Sequence, residues 1–141
     1  MPTLPLHLQI LAQLLAIGVY GLAAGAAWIA AIAAPNTSYD KLDPARADSH
    51  IRALLRTASA QICVMLIIAS GLAFAAQLYL SGLFGLIAAA GFVTNRLTLS
   101  RRSTEGRVRE RRQARRVIAV SLTLVFIVVI LIAAGFAVRG L

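Results

Sequence analysis

Residues 117–138 contain no charged side chain and consist mostly of Val, Ile, Leu, Ala and Phe. About 20 apolar residues are enough to cross the hydrocarbon core of a bilayer, so this run can span one. Inside lipid there is no water to bond free N–H and C=O groups. A lone segment satisfies them only by coiling into an α-helix. The abundance of Val and Ile would argue against a helix in water, but in lipid the backbone requirement overrides it.

The rest of the chain has the same character. Of its 141 residues, 60% are hydrophobic and 13% charged, whereas a soluble domain carries about 25% charged residues. Three further apolar stretches are legible, giving spans at about 6–34, 57–76, 80–97 and 117–138. The reading is an all-α integral membrane protein, residues 1–141 forming a single four-helix bundle with two helices extended into the cytoplasm.

Local signals set the expected boundaries. Pro35 is expected to end the first helix, because proline disrupts a helix interior, and 36–43 then forms a polar connection. Asp43 before Pro44 resembles a capped helix start and predicts one helix over 44–77, roughly 50 Å long. Residues 77–82 read as a turn. The third span has a short apolar core at 83–94 and reads as frayed, with Asn95 and Arg96 at its far end. A last helix should begin near 104 and run into the fourth span. No basic residue precedes Lys41, so the first span reads as a retained helix and not as a secretory signal.

The net charge of +9 is placed unevenly. Arginine occupies positions 101, 102, 107, 109, 111, 112, 115 and 116, opposed only by Glu105 and Glu110. In a four-span arrangement the first and third loops share one side, and they hold all of the 14 basic residues except Arg139. The positive-inside rule makes that side cytoplasmic. The expected location is the inner membrane, with both termini outside the cytoplasm. The positive charge also accounts for itself without nucleic acid, since no aromatic residue is interleaved among the arginines to stack on bases. Arg107, Arg111, Arg112, Arg115 and Arg116 are candidates for contact with anionic headgroups, at about 1 kcal/mol per basic residue, or with an acidic partner.

Catalytic and metal constellations are lacking in the sequence. Cys63 stands alone, which rules out a disulfide or multi-thiolate site within the chain. His7 and His50 fall on opposite sides of the membrane. No Asp, Glu, Lys or Arg sits in the central part of a span, where ionisable groups mark proton and ion pathways. No cofactor or metal is expected, and the balance leans away from an enzyme.

Two patterns remain. Small residues recur at helix-packing intervals: Gly18, Gly21 and Gly25 in the first span, and Ser81, Gly85 and Ala89 in the third. Such residues let helix backbones approach, and packing inside the bundle is the expected use, ahead of a seam with a second molecule. Gln9, Gln13, Tyr20 and Gln61 form a candidate polar pocket. The resulting functional reading is a non-enzymatic accessory or scaffolding subunit with a basic cytoplasmic platform. It would associate with membrane lipid and with a membrane protein partner or further copies of itself. A small transporter or channel-like protein with a polar seam between helices is the alternative, and a membrane enzyme acting on a lipid-soluble substrate is third.

Overall fold

A computed structural model describes residues 5–100 and 108–141 and is helical almost throughout. The elements are α1 (Leu6–Trp28), a π-helical turn (Ile29–Ala33), α2 (Ala34–Lys41), α3 (Pro44–Ala75), α4 (Tyr79–Ser100) and α5 (Val108–Arg139). Four helices are long and apolar enough to cross a membrane: Leu6–Ser38, Ser49–Ala75, Tyr79–Leu99 and Val117–Arg139. The protein is an all-α, multi-pass four-helix bundle. The four pack in a ring, α1 beside α3 and α5, and α4 beside α3 and α5. α1 and α4 therefore face each other across a diagonal. α3 and α5 each continue past their apolar part at the same end of the bundle.

Pro35 does not end the first helix, contrary to the sequence expectation. The chain stays helical from Leu6 to Lys41. Proline lacks an N–H and its ring presses on the carbonyl four residues back. Here the preceding turn is widened, so that the Ala34 N–H bonds Ile29 O, five residues back. A π-turn of this kind absorbs the conflict without breaking the helix. The supposed connection at 36–43 is therefore mostly α2, held by Thr37 Oγ1 to Ala33 O at 2.7 Å and Ser38 Oγ to Ala34 O at 2.9 Å.

α3 starts at Pro44 as expected, but Asp43 makes no side-chain capping bond. The far end of α3 closes with a Schellman turn. Leu78 N–H bonds Ala73 O at 2.8 Å and Gln77 N–H bonds Phe74 O at 2.9 Å. Gln77 takes the left-handed position at φ 63°, where glycine is the usual occupant. The C-terminus repeats the motif around Gly140 at φ 76°, with Leu141 N–H on Phe136 O. Leu141 O then accepts the Ser81 N–H at 3.3 Å, which serves one of the unpaired donors of the first turn of α4.

α4 is longer than its apolar core implied. It is neither frayed nor ended at Asn95, and it runs to Ser100. Arg107 lies outside the described residues. The backbone of Arg111, Arg112, Arg115 and Arg116 is helical, and their side chains lie outside the description.

Candidate functional site

The interior of the bundle holds two polar clusters, one toward each end. The first is built around Tyr20 of α1, which is wholly buried. Its hydroxyl donates to Ser81 O of α4 at 3.0 Å, across the diagonal of the ring. This reach depends on Gly85, because a Cβ there would overlap both Tyr20 Oη and Ser70 Oγ. Ser81 Oγ in turn donates to Ala133 O of α5 at 2.9 Å. One helical turn beyond, Gln13 Nε2 donates to Ala137 O of α5 at 2.6 Å. Ser70 Oγ bonds Leu66 O of its own helix at 2.8 Å. In a membrane such bonds fix helices that no hydrophobic contrast with the surroundings would hold.

The second cluster sits toward the end that carries Lys41 and α2. Asn95 of α4 is wholly buried. Its Nδ2 donates to Thr123 Oγ1 at 3.0 Å and to Ala119 O at 3.3 Å, both on α5. Thr123 Oγ1 donates to Ala119 O at 2.8 Å. By sequence Asn95 marks the end of a span, and only the continuation of α4 to Ser100 brings it into the interior. The signal that could have found it is an amide at i+14 from Ser81, close to four helical turns along one face of α4.

Between the clusters every helix contributes apolar side chains. Ala23 and Ala24 come from α1, Ile62 and Leu66 from α3, Ala88 and Phe92 from α4, and Ile127 and Ile130 from α5, all buried. Phe92 and Phe126 lie 6.0 Å apart at 49°, and Gly91 makes room for the Phe126 ring, with which a Cβ would collide. Among the described residues no polar side chain bridges this layer.

The predicted site residues divide accordingly. Gln13 and Tyr20 enter the interior, and Gln9 is half-buried one turn before Gln13. Gln61 does not join them; it lies on the exposed face of α3, so the four-residue pocket is not assembled. Ser81, Gly85 and Ala89 face the core and are buried. Gly18, Gly21 and Gly25 do the reverse: all three are exposed, and a Cβ on any of them would meet nothing within 4 Å. The expectation that they pack inside the bundle is corrected. The core-facing side of α1 is instead made of alanines at 12, 16, 23 and 27, with Tyr20. Those alanines already allow close approach, so the glycines are not needed there.

His7 and His50 occupy opposite ends. His50 Nδ1 lies 3.3 Å from Ser38 Oγ. Ser38 Oγ also bonds Ala34 O of its own helix, and its contact with His50 ties α2 to α3. Among the described residues no group of three or more His, Cys, Asp or Glu could hold a metal ion. Compared with known protein families, curated proteins and solved structures, the chain matches none of them.

Proposed function

We propose that this protein is an accessory or scaffolding subunit of an inner-membrane assembly, acting by association and not by catalysis. The observation that carries this reading is the outward glycine face of α1. Glycine inside a helix costs about 0.5–1 kcal/mol relative to alanine, and three glycines with nothing packed on them gain nothing inside this chain. A second membrane helix laid along Gly18, Gly21 and Gly25 would use the close approach they allow. The partner is another membrane protein or a further copy of this one.

The test is cross-linking in native membranes. In a Cys63→Ser background, Leu14→Cys places a thiol on the same exposed face. A cross-linked species is expected, and Gly21→Leu or Gly25→Leu should reduce its yield several-fold while leaving the monomer folded. A species of twice the monomer mass identifies a second copy, and any other mass identifies a partner. No cross-linked species in membranes at native abundance would overturn the proposal. The apolar layer between the two interior clusters supports this reading over a transporter with a continuous polar seam.

Orientation belongs to the same proposal. The end bearing Lys41, Arg46, Arg52, Arg56 and Arg96 also receives the arginine-rich start of α5, while Arg139 stands at the other end. This sorting supports a cytoplasmic basic platform, held against anionic headgroups, with both termini outside. A cysteine at Leu141 is expected to react with an impermeant maleimide in intact cells, and one at Leu42 only after the membrane is opened. Labelling of the Leu42 position in intact cells would reverse the topology.

A further inference from the structure

We propose that the Asn95 layer binds a water molecule inside the membrane-spanning bundle, through Asn95 Oδ1 and the hydroxyl of Ser59. Three observations carry this. First, Asn95 Oδ1 is a buried acceptor to which no described residue donates. The orientation of the amide is set by its surroundings. Nδ2 faces Ala119 O and Thr123 Oγ1, and the Thr123 hydrogen is already committed to Ala119 O. Turning the amide over would set oxygen against oxygen. The group left over therefore requires a donor.

Second, the fully buried apolar residues divide into two groups at this layer, with the half-buried Ala58 touching both. On one side lie Ile62, Phe92 and Ile127 with the main cluster, and on the other Ile51, Leu55, Leu99 and Ala119 form a smaller one with Ala30. Third, the register of α3 against α4 brings a further hydroxyl to the same height. Gly82 lies against Phe74, and Gly85 lies against Ser70. Continued along both antiparallel helices, that pairing sets Asn95 level with the turn containing Ser59. Ser59 is 2% exposed and faces the interior.

Buried waters make about three hydrogen bonds, mostly to polar groups that the protein leaves unsatisfied. Water is the occupant that this chemistry selects. It is small enough for a closely packed bundle, it can donate to Oδ1, and it can exchange a second bond with Ser59 Oγ. In hydrocarbon an acceptor without a donor has no solvent to fall back on, so retention of the water should be strong.

The sequence makes the experiment clean, because its only asparagines are Asn36 and Asn95. The full-length protein is labelled with ¹⁵N-asparagine and placed in lipid nanodiscs. Rotating-frame cross-relaxation is then recorded between water and the side-chain amides. Asn36 is exposed and serves as the internal reference. A dipolar cross-peak from water to Asn95 Nδ2 protons is expected, opposite in sign to chemical exchange and persisting where the Asn36 signal shows only fast surface water. Ser59→Ala should weaken it several-fold. Absence of the Asn95 peak in the wild type, with the Asn36 peak present, would overturn the proposal. A peak unchanged by Ser59→Ala would overturn the role given to Ser59.

Discussion

Tyr20→Ala is expected to be the most damaging single truncation in this protein. Aromatic-to-alanine changes in packed cores cost about 3–5 kcal/mol. In a bilayer the transfer part of that cost shrinks, because the separated helices also sit in an apolar medium. The packing part remains, and Tyr20 is wholly buried against α3 and α4. The expected loss is therefore near the lower limit, about 3 kcal/mol, measured by denaturant unfolding in detergent micelles. Tyr20→Phe separates the hydroxyl from the ring. It removes only the bond to Ser81 O, and a typical net hydrogen bond contributes about 1 kcal/mol. Equal losses for both variants would mean that the ring itself packs against little.

The glycines supply the second large effect. Gly85→Leu and Gly91→Leu each drive a side chain into a space already held, by Tyr20 and Ser70 in one case and Phe126 in the other. Overpacking of this kind costs roughly 1–3 kcal/mol. The upper part of that range is expected at Gly85, where the obstacles are the wholly buried Tyr20 ring and Ser70, whereas the half-buried Phe126 ring, tilted against Phe92, has some room to move. Gly21→Leu and Gly25→Leu should leave the stability of the isolated monomer unchanged, since nothing lies within 4 Å of either position. The comparison also separates two roles that look identical in the sequence. If Gly21→Leu lowers monomer stability as much as Gly85→Leu, α1 is turned the other way round in the bundle.

The candidate site was only half legible from residue types. Of the residues whose types mark them as candidates, Gln13, Tyr20, Ser81 and Gly85 converge on the interior, while Gln61 and the first-span glycines face outward. Asn95 reads as the end of a span because it precedes Arg96, a residue that can extend its charge to the interface. The helix simply continues past both. Its amide is used at the α4–α5 contact, and a charged neighbour on the exposed side does not oppose that.

Span number and helical state followed from the sequence alone, because both depend on local quantities. Stretches such as 117–138 are long, uncharged and apolar, and lipid permits them only one backbone arrangement. Helix facing was decided by the tertiary structure. In water an amphipathic stripe reveals the buried side, but here core and lipid are both apolar, so α1 shows no such stripe. Gly21-x-x-x-Gly25 and the alanines at 23 and 27 present equivalent spacings on opposite faces. Only packing against α3 and α5 selects the alanine side for the core. Pro35 follows the same logic: its chemistry predicts a break, and only the folded backbone reveals that a π-helical turn at Ile29–Ala33 accommodates it instead.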